Sequence, residues 1–125
     1  MIRYGEGVAA EDWFSLAQHV WPGAYGLAEV TAALARTSNI GAWDGDTLIG
    51  AVRVLTDGHF LATVPEILVL PTYQRRGIGR ELMRRALELA PRGKLFFGAQ
   101  PQSVGFFERL GYERGPIGFV ARRSP

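Results

Sequence analysis

Glu66-Ile67-Leu68-Val69-Leu70-Pro71-Thr72-Tyr73-Gln74-Arg75-Arg76-Gly77-Ile78-Gly79-Arg80 joins an aliphatic run to a basic, glycine-bearing loop and then to a periodic segment. Ile67 to Leu70 has the composition of a strand, and Pro71 ends it, because proline donates nothing to a ladder and disfavours helix in the residue before it. Beyond the loop, Ile78, Leu82, Met83, Ala86, Leu89 and Ala90 recur at helical spacing, with Arg80, Glu81, Arg84, Arg85 and Glu88 on the other face. A helix therefore starts near Gly77. Its first turn leaves backbone N–H groups without partners and carries a partial positive charge, which suits an anion. Gly77 and Gly79 allow a ligand close to the backbone, and Arg75, Arg76 and Arg80 add charge. The plainer reading of the same residues is a strand-to-helix turn with a solvated basic rim.

Set after an aliphatic strand and opening an amphipathic helix, Gln74-Arg75-Arg76-Gly77-Ile78-Gly79 resembles the acetyl-CoA-binding signature Gln/Arg-x-x-Gly-x-Gly/Ala of the GCN5-related N-acetyltransferase (GNAT) superfamily. Phe106-Phe107-Glu108-Arg109-Leu110-Gly111-Tyr112 resembles the Phe-Tyr-x-x-x-Gly-Phe stretch near the C-terminus of that family. Two blocks in the expected order are more specific than either alone. The resemblance is carried by the second half of the chain and reaches the first half only through its pattern of elements.

A chain of 125 residues is expected to form a single domain, 1–125, with a core of its own. Hydrophobic and charged fractions of 47% and 21% are those of a globular protein rather than a disordered one. A formal charge of +2 gives no argument for nucleic-acid binding, and the arginines near the central helix suit a small polyanion better than a duplex. The absence of cysteine excludes disulfides, thiolate metal sites and a cysteine nucleophile. No apolar run approaches the length of a membrane span and Met1-Ile2-Arg3-Tyr4 lacks a signal-peptide core, so a cytoplasmic protein without a membrane partner is expected.

In chain order, Ile2 to Tyr4 reads as a strand, Ala9 to Val20 as a helix with Trp13, Leu16, Ala17 and Val20 on one face, and Leu27 to Arg36 as a second helix with Val30 and Leu34 inward. Asp44-Gly45-Asp46 is a hairpin signal between strands Ser38–Trp43 and Leu48–Leu55, and Thr56-Asp57-Gly58-His59 turns the chain into Phe60–Leu70. Pro65 lies inside that last strand and predicts a bulge or splay. The helix Ile78–Ala90 then acts as a crossover to Lys94–Ala99, which should run parallel to its predecessor. Ser103 to Leu110 gives a short helix capped by Gly111, and Tyr112–Arg114 and Ile117–Arg122 would complete the sheet. The expected fold is α/β, of GNAT type. It has about four helices and a mixed sheet of about six to seven strands, an antiparallel N-terminal meander and a parallel, splayed pair in the middle.

The resemblance implies the ligand contacts. Ile67, Leu68 and Val69 would offer strand backbone to the pantetheine arm, with amides near Leu68 and Val69 polarising the thioester oxygen. Gln74, Arg75, Arg76, Gly77, Ile78, Gly79 and Arg80 would hold the pyrophosphate, and Gln100, Ser103 and Phe106 would border the same ligand. Trp21 and Tyr25 fall in the region that borders the acceptor in that family, although Trp21 also reads as a core residue. Glu66 is the only carboxylate between Phe60 and Leu70, where a charge is costly unless hydrated, paired or used, and it is the candidate base. The alternative for Glu66 is pairing with an arginine or exposure. Phe107 stands where many relatives have a tyrosine that protonates the departing sulfur, and phenylalanine donates no proton. Water, Tyr73 or another hydroxyl would have to substitute. Tyr112 reads as core, and His19 and His59 read as surface or turn residues without metal-ligand company, so no metal is expected.

The resulting expectation is an N-acetyltransferase that moves acetyl from acetyl-CoA to a small-molecule primary amine by direct attack in a ternary complex, with homodimerisation left open. Its rival is a non-catalytic acyl-CoA-binding regulator on the same fold, which Phe107 favours. A nucleotide-binding domain is the third reading, but the loop lacks the lysine and hydroxyl residue of a P-loop and the third glycine of a dinucleotide fingerprint.

Overall fold

Asp44 and Thr47 pair across the two-residue turn Gly45-Asp46, and this hairpin sets the register of the sheet. The computed structural model describes residues 1–123. Strands β1 (Ile2–Gly5), β2 (Ser38–Asp44), β3 (Thr47–Thr56) and β4 (Ala62–Val69) form one antiparallel sheet in the order β1-β2-β3-β4. Helices α1 (Ala10–Val20) and α2 (Leu27–Leu34) precede β2, and α3 (Ile78–Glu88) and α4 (Val104–Arg109) follow β4.

The helices cover both faces of the sheet. Trp13, Leu16 and Ala17 of α1 and Val30 and Leu34 of α2 close over Trp43, Leu48, Ala51 and Leu68. On the other face, Ile78, Leu82, Met83 and Ala86 of α3 pack on Ile40, Val52, Val54, Ala62 and Val64. Burial of one large aliphatic side chain contributes about 1.5–3 kcal/mol, so these two stripes hold the layers together. Helix α4 buries no residue fully; its Phe106, Phe107 and Leu110 rest partly buried against the α3 layer. Gly111 ends it as expected: its N–H bonds the Glu108 carbonyl and the Tyr112 N–H bonds the Phe107 carbonyl, the paired closure of a helix C-terminus.

The irregularity expected at Pro65 is present. Arg53 pairs with Glu66 and Leu55 with Thr63, so one residue of β3 faces two of β4, Val64 and Pro65. Because side chains alternate between faces, one inserted residue swaps them. Ala62 and Val64 face α3 before the bulge, whereas Ile67 and Val69 face α3 after it. Leu68 and Glu66 are thereby turned toward α1 and α2.

The sheet is smaller than the six to seven strands expected. Among the described residues four strands form, and the parallel pair is absent as a pair of strands. Its trace among the described residues is a single parallel bridge, Thr63 to Phe96, with the Phe96 N–H on the Ala62 carbonyl at 3.0 Å. Lys94–Ala99 follows Pro91-Arg92-Gly93 and is itself interrupted by Gly98, and so short a run has little to hold it once the chain diverges from β4. Tyr112–Arg114 and Ile117–Arg122 form no strand either. Gly115-Pro116 and Gly118 interrupt them, and Ile117, Phe119 and Val120 are exposed, so their β propensity meets no partner.

Two tests follow from this packing. A Cβ built on Gly79 falls 2.9 Å from Phe106 Cζ, so the ring must shift for position 79 to carry a side chain with α4 docked as it is. Gly79→Ala should lower stability by about 1–2 kcal/mol in a denaturant titration, overpacking outweighing the gain in helix propensity. In the β3–β4 turn, the N–H groups of Phe60, His59 and Leu61 all donate to Asp57 Oδ1 and hold that carboxyl down at about 2. Arg84 and Arg85 hold Glu81 at about 2 as well. Both folded carboxyls bind fewer protons than unfolded ones, which titrate near ~4, so their stabilisation is whole above that pH and is lost as pH falls through about 2. Thermal melts between these limits should show a falling midpoint, and Asp57→Ala should lower the neutral midpoint and flatten the descent.

Candidate active site

Leu70 donates its N–H to the Ile49 carbonyl at 2.9 Å, the last tie between β4 and β3 before the turn Pro71–Tyr73. Main-chain directions alternate along a strand, so Leu68 and Leu70 face β3 while Ile67 and Val69 turn their N–H and C=O groups outward. The Gln74 side-chain amide donates to the outward Val69 carbonyl at 3.2 Å. From Pro65 to Val69 that outer edge has no strand partner among the described residues.

The loop after β4 is held in an uncommon shape. Arg75 has φ of 64°, a left-handed conformation that costs a non-glycine residue about 1–3 kcal/mol. Gly77, the N-cap of α3, has φ 80° and ψ 5°, a conformation that glycine adopts freely. The first bond into α3 runs from the Glu81 N–H to the Gly77 carbonyl at 3.1 Å, which leaves the preceding N–H groups pointing out of the helix end. Tyr73 anchors the loop: its hydroxyl donates to Asp44 at the β2–β3 turn, and the Arg76 guanidinium lies 5.0 Å over its ring.

This loop, the outer edge of β4 and α4 enclose a cleft of about 590 Å³. Gln74, Arg75, Gly77, Gly79 and Arg80 line it from the loop and α3, Ile67 and Val69 from β4, and Ser103 and Phe106 from the far wall. Leu68 lies beneath in the core, Ile78 is buried under α3, Arg76 is turned onto Tyr73, and Gln100 is exposed outside the lining. Gln102, Phe107, Arg109 and Leu110 also line the cleft, which sequence reasoning had not placed there as ligand contacts. No acidic residue does, and Arg75, Arg80 and Arg109 enter no ion pair among the described residues. The cleft is therefore electropositive.

Phe107 belongs to an aromatic cluster, 4.7 Å from Phe97, 5.0 Å from Phe106 and 6.2 Å from Tyr112 between ring centroids. Burial pushes the Tyr112 phenol up from its ordinary value, with Arg80 opposing. The hydroxyls of Tyr73 and Tyr25 are both committed to carboxylates, Asp44 and Glu66.

Across β4 lies a second cavity of about 280 Å³, between the sheet and the α1–α2 pair. Glu66 is its buried carboxylate. Arg53, the residue directly opposite on β3, grips it with both ends of the guanidinium: Nε to Oε2 at 2.6 Å and Nη2 to Oε1 at 3.0 Å. The Tyr25 hydroxyl adds a bond to Oε1 at 3.2 Å. Burial, and then the negative charge of Glu66, raises the Tyr25 phenol above its ordinary value, so the hydroxyl stays protonated at neutral pH. Tyr25 is packed edge-on against Trp13 at 5.4 Å. Trp21 is exposed at the end of α1 and lines neither cavity.

Arg53 escaped the sequence reading although a signal existed. It is the lone charge in the apolar run Leu48–Leu55, as Glu66 is in the next strand, and two lone opposite charges on neighbouring strands invite pairing. His19 bonds its own helix through Nδ1 to the Ser15 carbonyl, and His59 is exposed in the β3–β4 turn. Among the described residues no three His, Cys, Asp or Glu side chains gather as metal ligands would, and no helix is long and apolar enough to cross a membrane.

The comparisons with known proteins agree with this geometry. The profile of the Acetyltransferase (GNAT) family matches residues 10–112. The GCN5-related N-acetyltransferase 2, chloroplastic, of Arabidopsis thaliana is 39% identical over 74 residues, which are 57% of this chain and 29% of that protein. The chain thus spans less than a third of that relative's length. Among solved structures, a GNAT-family acetyltransferase of Streptococcus pneumoniae TIGR4 superposes with a TM-score of 0.78 at 28% identity over 98% of both chains. AAC(6′)-Iy, solved in complex with the bisubstrate analogue CoA-S-monomethyl-acetylneamine, shares the fold with a TM-score of 0.80 at 18% identity over 99% of both chains. Acetyltransferases of this family use acetyl-CoA as co-substrate. With the match running from the first residue of α1 to the residue that closes α4, the chain belongs to the acetyltransferase (GNAT) family.

Proposed function

We propose that the chain transfers the acetyl group of acetyl-CoA to a primary amine by direct attack in a ternary complex. The observation that carries this reading is the placement of two unlike cavities back to back across the open edge of β4. One is basic and fits a polyanionic ligand; the other holds a carboxylate and fits a cation. The residues suit acetyl-CoA. Arg75, Arg80 and the unpartnered N–H groups opening α3 match a pyrophosphate, and the outward main chain of Ile67 and Val69 matches an extended amide-bearing arm.

The chemistry then follows in order. The amine nitrogen attacks the thioester carbonyl carbon, and the new C–N bond forms as the carbonyl electron pair moves onto oxygen. An outward β4 amide stabilises that oxygen. Collapse of the tetrahedral intermediate breaks the C–S bond and expels the thiolate. Glu66, held in place by its double hydrogen bond to Arg53, accepts the proton that nitrogen sheds, directly or through water. The departing thiolate has an ordinary acidity near ~8.5, so it leaves without an acid from the protein and takes its proton from water. Phe107 is compatible with this route. With no cysteine in the chain, a cysteine-bound acyl intermediate is excluded.

Two variants separate binding from chemistry. Arg75→Gly relieves the left-handed strain while removing a cation from the cleft. It should leave the thermal midpoint unchanged or higher, yet raise the Kd for acetyl-CoA at least about tenfold in calorimetric titration. Unchanged affinity would remove the loop from the cofactor site. Glu66→Gln should lower kcat by about a hundredfold or more, with acetyl-CoA affinity retained. The tight Arg53–Glu66 pair favours one second reading, a structural carboxylate in a regulator that binds acyl-CoA without turning it over. Acetyl-CoA binding that persists in Glu66→Gln, with no acetyl transfer by either protein, would establish that reading.

A further inference from the structure

Resting on the acetyl-transfer reading, we infer that the acceptor is a small free amine carrying a single positive charge and an apolar or aromatic body. Size gives the first argument. The cavity beside Glu66 holds about 280 Å³, at the lower end of what small-molecule pockets enclose, about 300–1,000 Å³. A multi-ring antibiotic would leave much of its surface outside that space, without contacts to the cavity walls.

Charge gives the second. Three ionisable side chains with fixed charge line the cavity: Glu29, Glu66 and Arg53. Glu66 and Arg53 neutralise each other through the double hydrogen bond. Glu29 lies in the first turn of α2, is exposed, and enters no ion pair among the described residues. The cavity therefore presents one uncompensated negative charge, enough for one ammonium group. A second ammonium in the same space finds the Arg53–Glu66 pair already neutral and no further carboxylate in the lining to receive it. Polyamines and aminoglycosides place several cations within that distance of one another.

The remaining wall gives the third. Trp13, Val30 and Leu34 form an apolar floor, with the Tyr25 ring set edge-on to Trp13. An aliphatic or aryl body gains from displacing water there, whereas a hydroxyl-rich sugar leaves its polar groups unpaired.

The test compares kcat/KM at saturating acetyl-CoA for 2-phenylethylamine, isoamylamine, putrescine, spermidine, neamine and a short peptide with a free N-terminus. The two monoamines should exceed the others by at least about tenfold. Glu29→Gln should raise KM for 2-phenylethylamine about tenfold, well beyond its effect on kcat, and should narrow the preference over putrescine. Faster acetylation of spermidine, neamine or the peptide overturns this inference and leaves the acetyltransferase standing. A KM for 2-phenylethylamine that ignores Glu29→Gln also overturns it. A protein that binds acetyl-CoA but acetylates nothing in the panel overturns both.

Discussion

One inserted residue in β4 decides what this molecule can do. Val64 and Pro65 together face a single residue of β3, and the face assignment of everything after them is reversed. Without that reversal Glu66 would point at α3 and sit in the main core, and Ile67 and Val69 would face α1. With it, the carboxylate enters the α1–α2 side while the aliphatic pair lines the α3 side. The parallel contact is confined to Thr63, ahead of the irregularity, and the outer edge of β4 stays open beyond it, where Glu66 lines one cavity and Ile67 and Val69 the other. An exposed strand edge is normally a liability for aggregation. Here it is short, flanked by arginines and walled by α4.

The two charges placed by that geometry are mutually dependent. Arg53 and Glu66 sit opposite each other in register, both largely withdrawn from water, and each charge offsets the cost of burying the other. The pair fixes the orientation of the carboxylate and, through Oε1, of the Tyr25 hydroxyl. The glycines of the loop serve backbone and packing needs. Gly77 is in a left-handed conformation, and Gly79 yields its space to the Phe106 ring.

Much of this was legible in the residues. The four helices, the N-terminal meander, the hairpin at Gly45-Asp46 and the bulge at Pro65 all follow from periodicity and turn chemistry, because each is settled by neighbours in sequence. The basic cleft was legible in Gln74 to Arg80, with the difference that Arg76 stacks on Tyr73 and Ile78 is buried. What was not legible depends on partners distant in the chain. Lys94–Ala99 and Ile117–Arg122 carry strand-like composition, but a strand exists only where an edge receives it, and no local rule reports that. Arg109 and Gln102 reach the cleft because α4 folds back onto α3, a consequence of the Gly79–Phe106 fit. Trp21, read as acceptor-facing or core, is exposed because α1 ends before it can turn inward.

The three tryptophans occupy three distinct surroundings. Trp13 is buried against Tyr25 at the floor of the smaller cavity, Trp43 is buried under the Arg3 guanidinium at 4.4 Å, and Trp21 is open to solvent. Indole emission shifts with the polarity around the ring, so the native protein carries an internal optical reporter. Trp21 supplies a water-like red component and Trp43 a blue one, while Trp13 is the ring that lines the smaller cavity and so the one a ligand there would touch. A ligand in that cavity is thus expected to register in intrinsic fluorescence, with no label and no turnover.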